Sequence, residues 1–278
     1  MSTLTYGPAV VLDGPVPAAY PYGLLNVARV VDEPSDYWLN GASVYPYPGE
    51  DTDGYDPCSA GTFRVKADGA GVDVQLFAAF VVYLPITCSA MSVGDPDEFK
   101  RRAALALAAR EQAALERQLA AGSYIATNPY LGDANMTQLG AAAVSGREAL
   151  ERLENAVGGT EQAGVIHADP ATVSCWSRDY LLYERQGKLR TANGTPVVSG
   201  GGYIGLVPDG EAVLGARESW AFGSGPVDVR HTETVMVPDP IFEALDRSIN
   251  EVTFRAERYA LVTWDAQLQV GVLIDRSV

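Results

Sequence analysis

The sequence predicts an α+β fold, and three observations support this prediction. In the closing stretch 249–275, apolar and polar residues alternate, which is typical of two strands with one buried face each. An Ala- and Leu-rich stretch between 96 and 121 predicts one long helix. The remaining helices and strands do not follow the strict βαβ alternation of a doubly wound fold, which excludes that class.

The composition is that of a globular chain with an acidic surface. Its 278 residues are 47% hydrophobic, which is enough for a core, and carry a formal net charge of -15. A surface of this sign repels phosphate and therefore disfavours direct nucleic-acid binding. The basic residues are nearly all arginine, which suits fixed ion pairs better than lysine does.

Cysteine usage and hydropathy place the chain in a reducing compartment. Cys58, Cys88 and Cys175 form no CxxC pair, so their spacing indicates neither a zinc site nor a disulfide framework. Residues 1–23 lack the pattern of a signal peptide, and no apolar run approaches the roughly 18 residues of a membrane span. A cytoplasmic origin is expected, with no membrane among the partners.

The N-terminal part predicts two extended elements. Pro and Gly punctuate residues 1–32, which indicates an extended arm. Residues 33–62 form a long turn-rich stretch, and loops of that length usually serve function or interaction. Alternation within 62–90 predicts two strands around a turn at 68–71. The aromatic residues of the long stretch are expected to anchor an interface: Trp38, Tyr45, Tyr47 and Tyr55.

The long helix has clear signals at both ends. Asp95 is expected as its N-cap, Pro96 as its first residue and Gly122 as its stop. At about 1.5 Å per residue it would be roughly 40 Å long, so it would act as a strut. The i, i+3/i+4 spacing marks one face of it, formed by Leu105, Ala108, Gln112, Leu115 and Leu119.

Two more helices are predicted in the centre of the chain. A capping box at Ser145–Glu148 opens a helix that ends at 158–159, and a short apolar strand follows at 164–167. Asp169–Pro170 then caps a third helix, which is expected to run through Tyr183.

The last part of the chain predicts mostly strands. Asn193–Gly194 indicates a type I′ turn in a hairpin within 188–206. Further strand character begins at Val227. A short helix is expected over 240–248, directly before the two closing strands.

One glycine-rich motif resembles a nucleotide site but lacks its context. Gly200–Gly205 matches the GxGxxG pattern of dinucleotide-binding proteins. That motif requires a helix directly after it, whose N-terminus holds the pyrophosphate. Here the turn-forming residues Leu206–Gly210 follow. The glycines are therefore expected to serve a loop with unusual backbone angles.

No catalytic, cofactor-binding or metal-binding residues are predicted, and the chain is not expected to be an enzyme. Ser224 does not lie in a GxSxG motif, and only His167 and His231 could serve it as a base. His167 is expected in a core or capping role. The acidic run Glu50–Asp56 lacks the EF-hand pattern, which favours a solvated loop over a calcium site.

The order of the predicted parts is informative. An arm, a long loop on a two-strand base, a long helix, a compact α+β lobe and two closing strands follow one another. This order resembles the major capsid protein of tailed bacteriophages, a fold shared with encapsulins. The ending Asn250–Asp265, with its Arg-Ala-Glu step, resembles the ending of that family. Three blocks resemble the axial lobe of actinobacterial-phage versions: 164–170, 189–203 and 220–230.

The resemblance implies a phage major-capsid-protein fold in five parts. These are an N-terminal arm (1–32), an extended β loop (33–70), a peripheral domain (71–140) with a spine helix (96–121), an axial α/β lobe (141–248) and closing strands of the peripheral sheet (249–278). Intersubunit contacts are expected at Trp38, Tyr45, Tyr47, Tyr55, Lys66, Arg101, Arg102 and Arg110. Some relatives cross-link a loop lysine to an asparagine, but no acid catalyst can be assigned beside Lys66, so no cross-link is predicted.

The resemblance also implies a function. Pentamers and hexamers of the chain would self-assemble into the icosahedral shell that encloses phage double-stranded DNA, without sequence-specific contact to that DNA. The shell would be part of a virion that is assembled in the host cytoplasm. Portal, scaffold, protease and decoration proteins are the further partners that it implies.

Three alternatives remain open at this point. The first is an encapsulin-like nanocompartment shell protein with the same fold. The second is another virion component, such as a decoration or tail protein. The third belongs to a different class, a soluble hydrolase or carbohydrate-binding domain.

Overall fold

The computed structural model describes residues 15–31, 36–45, 74–89, 96–160, 162–238 and 245–277. Its helices are α1 (Leu24–Val27), α2 (Pro96–Ala121), α3 (Gly146–Gly159) and α4 (Pro170–Arg178), with 3-10 turns at Asp36–Asn40 and Gly201–Tyr203. The combination of these helices with several sheets confirms the predicted α+β class. Among the described helices, none has both the length and the apolar character to cross a bilayer.

The described strands form two large sheets and one small one. Their bounds are β1 (Arg29–Val30), β2 (Ala42–Val44), β3 (Gln75–Phe77), β4 (Phe80–Ser89), β5 (Thr137–Gln138), β6 (Val144–Ser145), β7 (Val165–Ala168) and β8 (Leu182–Arg185). They continue with β9 (Lys188–Thr191), β10 (Pro196–Ser199), β11 (Glu218–Ser224), β12 (Val227–His231), β13 (Val235–Val237), β14 (Leu245–Asp246), β15 (Glu251–Trp264) and β16 (Gln269–Asp275). The small sheet pairs β2 with β3.

The first large sheet is organised around β15. That strand pairs with β4, β12, β13 and β14, and β1 adds to β12 in parallel. Val252, Phe254 and Ala256 are buried, whereas Thr253 and Arg255 between them are exposed. The predicted period of two is therefore confirmed in this half of the strand.

The second large sheet has the strand order β5-β16-β11-β7-β10-β9-β8. Helices α3 and α4 cover it with a core of their own, in which Leu153 and Trp176 are fully buried against Ile166 of β7 and Val272 of β16. The N-caps of both helices are as predicted. Ser145 accepts a hydrogen bond from the amide of Glu148, and Asp169 accepts one from the amide of Thr172.

The two closing strands lie in different large sheets, although they were expected together in the peripheral sheet. β15 pairs with β12, and β16 pairs with β11, while β11 and β12 are themselves consecutive. Both strand pairs therefore pass from one sheet to the other at the same corner. A Cβ on Gly225 would lie only 2.9 Å from Cβ of Asp265, so the absent side chain of this glycine allows the close approach.

The alternation predicted for the strand after the turn at 68–71 is broken at Ala78. Leu76 is 67% exposed and Phe77 is buried, so the inward face changes between β3 and β4. The side chain of Asn128 accepts a hydrogen bond from the Ala78 amide at 2.7 Å and donates one to its carbonyl oxygen at 2.9 Å. A distant side chain thus satisfies the backbone of the break, which local sequence does not reveal.

Helix α2 packs against β15, and its buried face differs from the predicted one. Leu115 and Leu119 are buried as expected, but Ala108 is exposed and Leu107 is buried instead. Further along the helix, Glu111 binds Arg258 of β15, whose Nη1 lies 2.9 and 2.8 Å from the two carboxylate oxygens. The expected N-cap, Asp95, lies outside the described residues.

The described part of the N-terminal arm lies on α2 and on the second sheet. Gln112 donates a hydrogen bond to the Tyr20 carbonyl oxygen at 3.0 Å. The amide of Ser199 donates one to the Tyr22 carbonyl oxygen at 2.8 Å. The arm was expected to be extended, but the helical turn α1 interrupts it. Leu24 of that turn is completely buried in the main hydrophobic core.

Helix α4 is shorter than predicted, and the tight turn lies at another place. The helix ends at Arg178, and Tyr180 then adopts a φ of 57°. The two residues with positive φ that connect β8 and β9 are Gln186 and Gly187, as in a type I′ turn. At the predicted position only Gly194 has a positive φ, so the hairpin is confirmed but its turn type was wrong. A helix was expected over 240–248, but residues 245–246 form β14, and residues 240–244 lie outside the described ranges.

The glycine-rich motif forms a 3-10 turn that packs directly on α2. A Cβ on Gly202 would lie 2.3 Å from Cβ of Glu116 and 2.8 Å from the backbone nitrogen of Arg117. A Cβ on Gly201, by contrast, would meet nothing within 4 Å. Close approach of two backbones thus explains Gly202.

Glu111→Ala tests the ion pair between α2 and β15. Removing one partner leaves the Arg258 guanidinium, whose side chain is 15% exposed, without its carboxylate. We expect the free energy of unfolding, measured by urea titration, to fall by about 3 kcal/mol. Glu98→Ala is the matched control, because Glu98 pairs with Arg101 on the exposed surface of the same helix and such pairs contribute at most about 1 kcal/mol. Equal effects of the two variants would contradict this ranking.

Gly202→Ala tests the contact between the 3-10 turn and α2. The added methyl group overlaps the helix backbone, so we expect the free energy of unfolding to fall by about 1–3 kcal/mol. Gly201→Ala, one residue earlier in the same turn, is expected to change it by less than about 0.5 kcal/mol. A comparable loss in both variants would show that the turn needs glycine flexibility rather than space.

Candidate functional site

The features that could carry a function fall into three groups: a buried histidine network, a buried glutamate and a set of exposed surfaces. His167 Nε2 lies 2.8 Å from Ser224 Oγ, and His167 Nδ1 lies 2.9 Å from the Tyr203 hydroxyl oxygen. Ser224 Oγ donates to the Gly225 carbonyl oxygen at 2.8 Å. Ser224 therefore accepts its bond from the histidine N–H, and Tyr203 donates to the other ring nitrogen.

This network cannot act as a nucleophile–base pair. A serine nucleophile must donate its proton to the base, whereas Ser224 accepts from His167. Both residues are fully buried on the neighbouring strands β11 and β7, with no exposed surface for a substrate. Burial also lowers the pKa of His167 to about 3, so the ring stays neutral. The core role expected for His167 agrees with this geometry.

The buried glutamate is Glu116 of α2, which sequence reasoning did not single out. Its Oε1 accepts a hydrogen bond from the Leu24 amide at 3.1 Å, and its Oε2 accepts one from the Gly202 amide at 2.9 Å. The residue is completely buried. Burial is the main cause that raises its pKa to about 7, while the two amide donors lower it in part. One carboxyl group thus holds three segments together: the arm, α2 and the 3-10 turn.

A weak signal for this site was present in the sequence. The buried half of an Ala- and Leu-rich helix contains four polar residues, which are Glu111, Gln112, Glu116 and Gln118. Buried polar side chains in native proteins are hydrogen-bonded, so four of them on one helix indicate contacts to irregular backbone. Sequence alone does not name the partners of these side chains.

The expected intersubunit residues lie at separate places. Trp38 was expected at an outer surface, but it is 7% exposed and belongs to the main hydrophobic core of its own chain. Tyr45 is 71% exposed, and Arg101, Arg102 and Arg110 of α2 are exposed. Tyr47, Tyr55 and Lys66 lie outside the described residues.

Tyr45 and the pair Arg101 and Arg102 line two different grooves. A groove of about 350 Å³ between the arm and the start of α2 has Val16, Ile86 and Phe99 as apolar walls and Arg101 and Arg102 at its rim. A second groove, of about 460 Å³, lies at the junction of the two large sheets and is lined in part by Val27, Val44, Tyr45, Val227 and Trp264. The structure therefore does not bring Tyr45 and the arginine pair together in one site.

Exposed apolar side chains occur on the small sheet, directly after its strand β2, and in the segment that follows the second 3-10 turn. Leu76 of β3 is 67% exposed, and Val213 and Ile204 of the segment after the 3-10 turn are 91% and 67% exposed. Single exposed apolar residues are common on monomers, but a pair such as Tyr45 and Leu76 on one small sheet provides apolar area for a partner. Within the described ranges, no group of three His, Cys, Asp or Glu residues is arranged to hold a metal ion.

No protein-family model matches the chain, and no curated protein matches it either. Comparison with solved structures gives 132 matching chains. One from Gordonia phage Cozz is 12% identical, with a TM-score of 0.55 over 99% of this chain and 92% of that chain. The capsid of an empty GTA particle is 14% identical, with a TM-score of 0.53 over 99% and 94%.

An encapsulin gives a match of the same quality. The holo-SrpI encapsulin complex from Synechococcus elongatus is 10% identical, with a TM-score of 0.53 over 96% of this chain and 92% of that chain. These neighbours align with nearly the whole chain, from the arm to the closing strands. The chain therefore has the fold that phage capsids and encapsulins share.

Proposed function

We propose that this chain is a major capsid protein that self-assembles, as pentamers and hexamers, into an icosahedral shell enclosing phage double-stranded DNA. The observation that carries the proposal is the near-complete overlap with shell subunits in both directions, 99% of this chain and 92% of the Gordonia phage chain. Overlap with a fold that hosts many unrelated functions would support a functional proposal less strongly. Here the neighbours, from phages, GTA particles and an encapsulin, are all shell proteins.

The exposed surfaces of the small sheet support assembly. Strands β2 and β3 form the base of the segment 46–73, and they leave Tyr45 and Leu76 exposed by 71% and 67%. Burial of two such side chains between subunits stabilises an interface by roughly 2 kcal/mol per side chain. This supports a loop between the two strands that lies over a neighbouring subunit, although Trp38 and β2, within the expected range 33–70, pack on their own chain.

The charge distribution supports a shell that holds acidic cargo without binding it tightly. The chain has 35 acidic and 20 basic residues, so most of its surface repels DNA phosphate. Arg101, Arg102 and Arg110 stand out on the exposed side of α2. Arg101 is paired with Glu98 in an exposed i,i+3 pair, which is weak enough to exchange for an acidic group of a neighbour.

Further partners follow from this function. A shell of this kind is assembled in the host cytoplasm and becomes part of a virion. Portal, scaffold, protease and decoration proteins are the partners expected during and after assembly. We propose these as consequences of the capsid function.

An encapsulin-like compartment is the second candidate. It is favoured by the match to the Synechococcus elongatus encapsulin, whose TM-score of 0.53 equals that of the empty GTA capsid. The fold thus fits both kinds of shell equally well. A hydrolase or carbohydrate-binding domain is less well supported, because Ser224 and His167 are fully buried and hydrogen-bonded in the wrong sense for catalysis.

Expression of the full chain and negative-stain electron microscopy test the proposal. We expect closed particles, or free pentamers and hexamers. A stable 29.6 kDa monomer under all assembly conditions would overturn it. Nuclease treatment followed by extraction then separates the two shell types, because a phage shell protects DNA whereas a compartment encloses protein.

Replacing residues 46–60 by a Gly-Ser stretch of equal length tests the loop. This change removes Tyr47 and Tyr55 but keeps Trp38 in the core and preserves the chain length. We expect shells to be absent while thermal unfolding of the subunit stays cooperative. Shells of normal size in this variant would show that another surface joins the subunits.

A further inference from the structure

The contact centred on Glu116 has the geometry of a releasable latch. Its carboxyl group lies between the Leu24 amide and the Gly202 amide, at 3.1 and 2.9 Å. Space around it is tight, because a Cβ on Gly200 would lie 2.4 Å from Cδ of Glu116. The group is therefore fully enclosed by the arm on one side and the 3-10 turn on the other.

The groups that surround this carboxyl do not neutralise its charge. The two hydrogen bonds come from backbone amides, and Arg117, the next residue of the helix, is exposed and contributes least to the pKa. On the turn side lies the buried hydroxyl of Tyr203, which is bound to the neutral ring of His167. A buried carboxylate without a paired cation is costly.

The arm side presents no cation to this carboxyl among its described contacts. Tyr20 contributes only its carbonyl oxygen, to Gln112, and the hydroxyl of Tyr22 donates to Glu184 on β8. The first arginine of the arm, Arg29, lies beyond α1 and is paired with Asp228 of β12. The hydrogen bond to Glu184 raises the pKa of Tyr22, burial raises that of Tyr203, and Glu116 is the group whose pKa burial brings to about 7.

The arm is the weaker of the two elements that cover Glu116. Residues 15–21 are exposed, and few hydrogen bonds connect the arm to the body of the subunit. Leu24 of the arm and Tyr203 of the 3-10 turn are both buried in the main core, but the turn directly follows the paired strand β10, whereas the arm runs from Leu24 back into exposed residues. A segment that continues into exposed chain opens locally at lower free-energy cost than one held by a sheet. Opening at this site therefore involves the arm.

We propose that Glu116 is a proton-sensitive latch, whose protonated form holds the arm segment 20–26 on α2 and whose ionisation favours lifting of that segment. Opening would bring water to the carboxyl group and return it to the behaviour of an exposed glutamate. The proposal rests on the contacts within one subunit and does not depend on the capsid function.

The direction of the pH effect follows from proton linkage. In the closed state the pKa of Glu116 is raised to about 7 from the ordinary value of 4.5. The open state therefore loses its proton at a lower pH than the closed state. Raising the pH from 4.5 to 7 consequently shifts the equilibrium toward opening, and the effect levels off above 7.

Hydrogen–deuterium exchange on the full chain tests the latch. After correction for the intrinsic pH dependence of exchange, we expect protection of the 20–26 amides to fall about 30-fold between pH 5.5 and pH 8.5. The amides of β11, residues 218–224, serve as the internal reference in the same sample, and their protection is expected to stay constant.

Glu116→Gln removes the titration while keeping the shape of the side chain. The amide group of the glutamine places an NH₂ opposite one of the two backbone donors, which lowers the protection of the 20–26 amides at every pH. Only the change of this protection with pH is therefore compared between variants. We expect the protection of the 20–26 amides in Glu116→Gln to be independent of pH. Glu98→Gln is the matched control, because it makes the same chemical change on an exposed part of the same helix, and it should keep the wild-type slope.

Two outcomes would overturn the proposal. The first is wild-type protection at 20–26 that stays constant, or rises, relative to 218–224 as the pH increases. The second is a Glu116→Gln profile with the same slope as wild type. The first outcome is measured on the wild-type chain alone, so the test stands even if the variant does not fold. Neither outcome bears on whether the chain forms shells.

Discussion

The structure depends on one constraint: the irregular segments around α2 bring backbone amides and carbonyls into the interior, and these groups need partners. Helix α2 supplies the partners from its own side chains. Gln112 binds the arm, Glu116 binds both the arm and the 3-10 turn, and Gln118 accepts hydrogen bonds from the amides of Tyr124 and Ile125. A purely apolar helix would leave those groups unsatisfied. The long helix is therefore a hub for fixed polar contacts as well as a strut.

A second feature determines the shape of the subunit, the corner at which two strand pairs pass from one large sheet to the other. Gly225 and Asp265 meet at this corner, and the amide of Asp265 donates to the Pro226 carbonyl oxygen. Two residues separate β11 from β12 and four separate β15 from β16, so short corners rather than long linkers join the two sheets.

Several parts of the fold were predictable because their signals are local. The helix bounds 96–121 were predicted from Pro96 and from Gly122, whose φ is 58°. The caps of α3 and α4 and the alternation of β15 likewise depend on residues close together in the chain. The fold class followed from the order of these elements. The candidate site was not predictable in the same way: Trp38 lies in the core, while Tyr45 and the arginines of α2 are exposed and their intersubunit contacts stay a prediction.

The sequence by itself determined the bounds of α2, the N-caps of α3 and α4 and the buried face of the first half of β15, because capping and alternation are read within a few residues. Only the tertiary structure decided which sheet β16 joins, why Ala78 breaks a strand, and what Glu116 and Gly202 are for. Those outcomes depend on contacts between residues far apart in the chain, such as Leu24, Glu116 and Gly202. No local pattern records them, because a buried carboxyl group takes its properties from whatever encloses it.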